Sequence, residues 1–264
     1  MPCSPRNDPL LSFHAEDRIL VTGASSGIGA AIALRLNSLG ATVIAGGRSA
    51  EKLTEVKASA PRPENFHPET YDLTADMQGM ARWVKNLRAK YGILSGLAHS
   101  AGRTLTASFM LYDLDEARGL FDLLCHAPLL LTREILDRRN CRAAADGGTS
   151  VVYIAALAGT VPNKGLTVYS AAKAALICAA RCMGKELAPR GIRINCISPG
   201  FVQTPMQEET AAVLGEEYLQ AEEALYPLGL GQPEDVGNLA AFLLSPAARW
   251  ITGQNYILDG GRLP

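Results

Sequence analysis

Apolar and polar positions along this chain follow two patterns, one typical of buried β-strands and one typical of helices. Short apolar runs predict β-strands at Arg18–Thr22, Ala41–Ala45, Asn65–Asp72, Gly96–Ser100, Ser150–Ala155, Arg193–Ser198 and Asn255–Leu258. Helical spacing of apolar residues predicts helices between them, at Gly27–Leu39, Ala50–Ser59, Ala75–Tyr91, Leu114–Leu136, Tyr169–Ala188 and Pro233–Leu244. This alternation predicts an α/β fold, with a parallel sheet covered by helices on both faces.

The pattern continues to the end of the chain without a repeat or a low-complexity linker. We therefore expect a single domain over residues 18–264, preceded by an N-terminal extension over residues 1–17. A length of 264 residues suits one large α/β domain, and a hydrophobic fraction of 48% is ample for its core. In such a sheet, ligands bind beyond the carboxyl ends of the strands.

Charge and composition exclude several classes of partner. A formal net charge of −1 gives no broad basic field for nucleic acid or an acidic membrane. No apolar run approaches the ~20 residues of a membrane span, and the first residues contain no signal-peptide core. The six cysteines are scattered, and the pair Cys178 and Cys182 lacks a third metal ligand nearby. We interpret them as reduced, buried, small apolar residues of a cytoplasmic protein without a metal.

A glycine turn joins the first predicted strand to the first predicted helix. Gly23, Gly27 and Gly29 lie within Thr22-Gly23-Ala24-Ser25-Ser26-Gly27-Ile28-Gly29. Glycines in this position let the backbone approach a pyrophosphate, and the helix points its free N–H groups at the phosphates. A purely structural turn is the alternative, because glycine turns are common.

Two residues that follow predicted strands suggest how a nucleotide is selected. Arg48 stands near the end of the second strand, where an NAD site has Asp or Glu, and its guanidinium suits the 2′-phosphate of NADP. The alternative for Arg48 is a solvated residue at a helix start. Asp72 follows the third strand and is placed to accept from the adenine amine, to cap the helix predicted at Ala75, or both.

Tyr169 and Lys173 form the strongest chemical pattern. Their spacing places them one helical turn apart on the same face. An ammonium beside a phenol lowers the phenol's pKa, which makes Tyr169 a plausible proton donor to a carbonyl oxygen that receives hydride. The alternative is an ordinary exposed Tyr–Lys pair.

With these motifs in order, the chain resembles the short-chain dehydrogenase/reductase family, in its single-domain form. The resemblance spans Arg18 to Gly261. Beyond the glycine turn and Tyr169-x3-Lys173, the matching segments are Asp72, Ala101-Gly102, Arg193-Ile194-Asn195, Pro199-Gly200-Phe201-Val202-Gln203-Thr204, Pro233-Glu234-Asp235-Val236, Thr252-Gly253-Gln254 and Asp259-Gly260-Gly261.

The resemblance implies a Rossmann-type, doubly wound, seven-stranded parallel sheet that binds NAD(P)(H). It implies Tyr169 and Lys173 as the catalytic pair, a mobile substrate lid over about 205–226, and dimers or tetramers. The helix faces at Leu129–Leu131 and at Ala171, Ala174, Ala175 and Ala179 are candidate subunit contacts, or they cover the sheet. The implied cofactor residues are Gly23, Ser25, Ser26, Gly27, Ile28, Gly29, Arg48, Asp72, Leu73, Ala101, Gly102, Tyr169, Lys173, Pro199, Gly200, Val202 and Thr204.

Two positions depart from the family pattern. The family's catalytic serine, thirteen residues before the tyrosine, corresponds to Ala156, and its proton-relay asparagine corresponds to Leu124. Loss of one donor to the substrate oxygen typically costs about 10²–10³-fold in rate. Candidate substitute donors are the loop Thr160-Val161-Pro162-Asn163-Lys164 and His126.

Two functions fit this sequence. The first is an NADP-dependent oxidoreductase, with NAD the less favoured cofactor, that interconverts a carbonyl and an alcohol with Tyr169 as general acid/base. The second is a catalytically degenerate relative that binds NADP(H) as a regulatory or structural protein, or that performs non-redox chemistry. The apolar character of Leu105–Leu114 and of the predicted lid favours an uncharged or partly apolar small-molecule substrate.

Overall fold

The computed structural model describes residues 11–207 and 215–263, and no side chain of residues 216–219. Within that part of the chain, seven strands form one sheet: β1 Arg18–Thr22, β2 Thr42–Gly47, β3 Phe66–Thr70, β4 Gly96–His99, β5 Thr149–Ile154, β6 Ile192–Pro199 and β7 Asn255–Leu258. All strands pair in parallel, in the order β3-β2-β1-β4-β5-β6-β7. The predicted doubly wound, seven-stranded, single-domain fold is confirmed.

Helices cover both faces of the sheet. In chain order they are α1 Gly27–Ser38, α2 Ala50–Ala58, α3 Met80–Tyr91, α4 Leu114–Phe121, α5 Ala127–Ile135, α6 Thr167–Leu187, α7 Glu216–Glu223 and α8 Pro233–Leu244. One apolar cluster packs α1, α2 and α8 on one face, and a second packs α3, α5 and α6 on the other. The central strands are buried on both sides, which explains their continuous apolar runs.

Helix α3 begins at Met80, five residues later than Ala75, where the sequence predicted its start. Two aspartates hold the intervening chain in turns. Asp72 Oδ1 accepts from the backbone N–H groups of Thr74 and Ala75, and Asp76 Oδ1 accepts from the N–H of Gly79. Aspartate side chains compete with the helix for backbone donors in this way, so α3 begins later in the chain than predicted.

The segment predicted as one helix over Leu114–Leu136 contains a π-helical turn. Asp122–His126 separates α4 from α5, and the N–H of Ala127 donates to the carbonyl of Asp122. Pro128 has no N–H to donate to the carbonyl of Leu124, and its ring crowds that carbonyl in a regular helix. The wider turn relieves this conflict, and it lies beside the cleft described below.

The structure also describes the cysteines and parts of the expected N-terminal extension and lid. Cys178 and Cys182 are exposed on α6, so the interpretation of all cysteines as buried was wrong for these two, whereas Cys125, Cys141 and Cys196 are buried. Residues 11–17 pack on the domain through Phe13, which is 7% exposed. Part of the expected N-terminal extension (1–10) and part of the expected lid (208–214) lie outside the described residues.

Candidate active site

A cleft of about 640 Å³ opens at the carboxyl ends of β1, β4, β5 and β6. It lies where the strand order reverses between β1 and β4, the usual ligand position in an open α/β sheet. Every cofactor and catalytic residue proposed from the sequence lines this one cleft, from the glycine turn through Arg48, Asp72 and Tyr169 to Thr204. Their common placement is what the structure establishes, and binding of a cofactor by them stays a prediction.

The glycines of the turn are required by the protein's own packing as well as by a phosphate. A Cβ on Gly29 would lie 2.1 Å from the carbonyl oxygen of Gly23, and one on Gly23 would lie 2.8 Å from the backbone nitrogen of Ala101. Gly23 and Gly27 also adopt positive φ, at 69° and 51°. The structural alternative for these glycines therefore holds beside the nucleotide-binding interpretation, because a side chain at Gly23 or Gly29 would collide with the backbone of the protein itself.

The first turn of α1 fits an anion. Ser26 is its N-cap residue but makes no side-chain hydrogen bond to the helix, and the first turn contains no acidic residue. Its N-terminal N–H groups are therefore available, and the helix dipole favours negative charge at this point. These features match the pyrophosphate of a dinucleotide.

Arg48 lies at the far end of the cleft and is exposed, without an ion pair to the described part of the chain. Asp72 accepts three hydrogen bonds on Oδ1, from the backbone of Thr74 and Ala75 and from the Thr74 hydroxyl. These bonds, from Thr74 first, hold the pKa of Asp72 below its usual value, and the positive charge of Arg48 contributes. Asp72 therefore stabilises a turn. It does not cap a helix, which was one of the two roles suggested by the sequence, because α3 begins only at Met80. Its Oδ2 accepts none of these three bonds.

Sequence reasoning missed two aromatic residues at this end of the cleft. Tyr71 stacks on Trp83 with ring centroids 4.3 Å apart and an interplanar angle of 8°. Trp83 approaches Gly46, where a Cβ would lie 3.5 Å from the indole ring. Trp83 occupies an apolar helical position that is typical of core residues, so the sequence gave no signal for a role in the cleft.

Tyr169 and Lys173 lie in the cleft on the first turns of α6. Lys173 is only 6% exposed and donates from Nζ to the carbonyl oxygen of Ile154 at 2.7 Å. The same Nζ stands 5.8 Å from the centroid of the Tyr169 ring. The pair is thus assembled as the spacing predicted, with the cation over the ring face.

Burial dominates the acid–base properties of this pair. It raises the pKa of Tyr169 to about 12 and lowers the pKa of Lys173 to about 8. In this structure the ammonium of Lys173 donates to the carbonyl oxygen of Ile154 rather than to the phenol oxygen, and the lowering of the Tyr169 pKa by Lys173 stays a prediction. At neutral pH, Tyr169 holds its proton and Lys173 remains mostly charged.

The two positions at which the sequence departs from the family pattern, Ala156 and Leu124, both line the cleft. Ala156 lines the cleft together with Tyr169. Leu124 is 1% exposed in the π-helical turn, and its Cδ2 would lie 3.0 Å from a Cβ on Gly102. A leucine side chain cannot relay a proton, so it closes this position with apolar packing.

Neither of the substitute donors suggested by the sequence reaches the cleft. Among the described lining residues there is no His126 and none of residues 160–164. His126 is exposed and binds Asp122 Oδ1 through Nδ1 at 2.8 Å. The polar side chains that do line the cleft near β4 and the base of the expected lid include Ser100, Arg103, Thr104, Thr204 and Gln207.

His99 lies below this cleft at the end of β4, in a row that crosses the sheet from Thr22 to Tyr153. It is 2% exposed, and its Nδ1 lies 2.9 Å from Thr22 Oγ1. Its Nε2 is buried without a partner in the described residues. Burial lowers the pKa of His99 to about 3, and the charge of Lys173 adds to this, so the ring is neutral.

Comparison with known proteins agrees with this geometry. The family described as "Enoyl-(Acyl carrier protein) reductase" matches residues 23–262. The chain is 33% identical to the 3-oxoacyl-[acyl-carrier-protein] reductase FabG of Thermotoga maritima, over 92% of this chain and 96% of that protein. It is also 33% identical to the reductase of the same description from Aquifex aeolicus, over 92% and 95%.

Solved structures with the same fold include a short-chain type dehydrogenase/reductase from Mycobacterium ulcerans, at 30% identity and a TM-score of 0.85, covering 96% of this chain and 91% of that one. A dehydrogenase/reductase from Sinorhizobium meliloti 1021 has 27% identity and a TM-score of 0.84, covering 96% and 97%.

The fold and the cleft define a class: oxidoreductases in which a doubly wound sheet has its ligand cleft at the carboxyl ends of the strands, here lined also by Tyr169 and Lys173 of α6. Within that class, the chain belongs to the short-chain dehydrogenase/reductase family. Members of this family use NAD(P)(H) to interconvert carbonyls and alcohols of small molecules. No helix in the described part of the chain combines the length and the apolar character needed to cross a bilayer.

Proposed function

We propose that the protein is an NADP(H)-dependent reductase of a carbonyl compound, with Tyr169 as the proton donor. The observation that carries the proposal is the placement of Tyr169 and Lys173 in the same cleft as the glycine turn and Arg48. The glycine turn and the uncapped start of α1 suit a pyrophosphate, and the exposed guanidinium of Arg48, which forms no ion pair with the described residues, suits a 2′-phosphate. When bound, the reduced cofactor supplies a hydride to the carbonyl carbon.

The residues of the chain supply the proton and the charge balance. Tyr169 keeps its proton on Oη at neutral pH because burial raises its pKa to about 12. It donates that proton as the substrate oxygen becomes negative. The ammonium of Lys173, 5.8 Å from the ring centroid, then offsets the negative charge left on the phenol.

The proposed substrate class rests on the relatives and on an apolar loop that continues from the cleft. The curated relatives are described as reductases of 3-oxoacyl groups on acyl-carrier protein. The loop that continues from Arg103 and Thr104 of the cleft carries Phe109, Met110 and Leu111, which are 65%, 87% and 75% exposed. Such a surface suits an apolar chain, so we propose a 3-oxoacyl thioester as substrate.

Cofactor choice is tested by titrating the protein with NADPH and NADH. We expect tighter binding of NADPH, and Arg48→Ala weakens it by about 10–100-fold because a charge-assisted pair is lost, with little effect on NADH. Lys52→Ala is the matched control, since Lys52 is an exposed cation of α2 that does not line the cleft. Equal affinity for both cofactors, unchanged by Arg48→Ala, would contradict the role of Arg48.

The alternative function is supported by Ala156 and Leu124. Because the chain lacks a serine hydroxyl and a relay amide at these positions, a protein that binds NADP(H) without redox turnover also fits the cleft. NADPH binding combined with no reduction of any carbonyl substrate would favour this regulatory or non-redox function over the reductase.

A further inference from the structure

A second, shallow basin opens at the opposite edge of the sheet from the cleft. It is formed where β1, β2 and β3 begin and where α2 and α3 end, and it is lined by Ala15, Arg18, Thr42, Lys57, His67, Pro68, Lys90 and Tyr91. None of these residues lines the cofactor cleft, so its function is separate from that of the glycine turn.

Positive charge dominates the basin. Arg18 comes from β1, Lys57 from α2 and Lys90 from α3, and no acidic residue is among the described lining residues. Glu69 of β3 is the neighbouring acid, and it is already engaged: its Oε1 accepts from Lys90 Nζ at 2.7 Å and from the Tyr91 hydroxyl at 2.5 Å. Two cations, Arg18 and Lys57, therefore remain without an ion pair to the described residues.

The donors in the basin have unused capacity. Arg18 donates once, from Nη1 to the carbonyl of Glu16 at 3.2 Å, which leaves most of its five N–H groups free. Lys57 is half-buried, and its Nζ makes no hydrogen bond to the described residues. Both cations line the same basin, so an anion bound there would interact favourably with each of them.

His67 lines the same basin as Lys57 and Lys90, whose charges act on its ring. Its ring stacks on Tyr91 with centroids 4.8 Å apart, and neither ring nitrogen is bonded within the described residues. Burial lowers the pKa of His67, the charges of Lys57 and Lys90 lower it further, and Glu69 acts in the opposite sense. The imidazole is therefore neutral at physiological pH and has one N–H donor to offer.

We propose that this basin binds a small molecule through a phosphate monoester group. Arg18 and Lys57 supply the positive charge, and His67 supplies a hydrogen bond from its fixed ring. A dianion with three acceptor oxygens uses two cations and a neutral donor together, which a halide ion cannot do. The protein then carries a second phosphate site, separated from the cofactor cleft by the length of the strands.

The test follows the imidazole resonances of the histidines by NMR during titration with inorganic phosphate, and His67→Gln assigns the signal. We expect a saturable shift of the His67 signal and a rise in its pKa, because a bound dianion favours the protonated ring. Lys57→Ala weakens phosphate binding about fivefold or more through loss of one charge. Lys85→Ala, an exposed lysine of α3 outside the basin, leaves it unchanged.

Three results would overturn the proposal. Potassium chloride at the same ionic strength could produce the same shift, which would show general screening only. Lys57→Ala could leave the phosphate affinity as it is. The response could disappear in Arg48→Ala, which would place the phosphate in the cofactor cleft and leave the basin without a ligand.

Discussion

Ala156 lies within reach of the substrate position but offers only a methyl group. It lines the cleft with Tyr169, as does its neighbour Ala155. We predict that the wild-type protein already reduces its substrate, and that Ala156→Ser raises kcat by no more than the about 10²–10³-fold that one oxyanion donor contributes. Steady-state kinetics with NADPH measure this, and Ala155→Ser is the matched control.

Comparing the kinetics of the wild type and Ala156→Ser also distinguishes the two proposed functions. If the wild type is inactive and the Ala156→Ser variant reduces the substrate, the protein has lost redox activity, as the alternative function requires. A serine at Ala155 points the added hydroxyl at a different place, so a gain there as large as at Ala156 would contradict the assigned geometry.

His99 makes the stability of the protein depend on pH. Its folded-state pKa, about 3, lies below the ordinary value of 6.5, so in that interval the unfolded chain binds a proton that the folded chain does not. The stabilisation is complete above pH 6.5 and is lost as the pH falls towards 3. One proton corresponds to a slope of about 1.4 kcal/mol per pH unit.

His99→Asn is therefore expected to flatten the pH dependence of the free energy of unfolding on the acid side. Urea unfolding at a series of pH values measures the slope, and His126→Asn, which changes an exposed histidine, serves as control. An identical slope in wild type and His99→Asn would show that the buried imidazole titrates normally, contrary to its position in the core.

Among the helices, replacing two glycines by alanine is expected to change the stability of the protein in opposite directions. Gly29→Ala places a Cβ 2.1 Å from a carbonyl of its own turn, so we expect a destabilisation of about 1–3 kcal/mol and loss of cofactor binding. Gly119 lies in α4 with nothing within 4 Å of an added Cβ. Gly119→Ala should stabilise the protein by about 0.5–1 kcal/mol.

Denaturant unfolding without cofactor measures both changes. The pair shares one chemical substitution and differs only in the surroundings of the glycine. A neutral Gly29→Ala would mean that the turn relaxes freely, and then the close approach of its backbone groups could not be the reason for glycine there.

Elements that depend on local apolar periodicity were predicted well from the sequence. The predicted bounds of β1, β7 and α8 match the structure, and the other strands differ only at their ends. The start of α3 and the π-helical turn could not be predicted, since both depend on competition for backbone groups. Asp72 and Asp76 delay the start of α3, and Pro128 favours the π-helical turn.

At the scale of the whole molecule, the predicted site residues meet in one cleft because a doubly wound sheet brings the carboxyl ends of its strands together. What the sequence missed depends on long-range packing. The stack of Tyr71 on Trp83, the failure of His126 and residues 160–164 to reach the cleft, and the raised pKa of Tyr169 all follow from burial and distance. None of these has a local signature in the sequence.

The central claim, that Tyr169 protonates a carbonyl in an NADP(H)-dependent reduction, is tested most directly by Tyr169→Phe. The measurement is the oxidation of NADPH by the protein in the presence of a 3-oxoacyl thioester, with NADPH binding measured on the same samples. We expect Tyr169→Phe to bind NADPH as the wild type does and to lose about 10²–10⁴-fold in kcat. Turnover by Tyr169→Phe at the wild-type rate would contradict it.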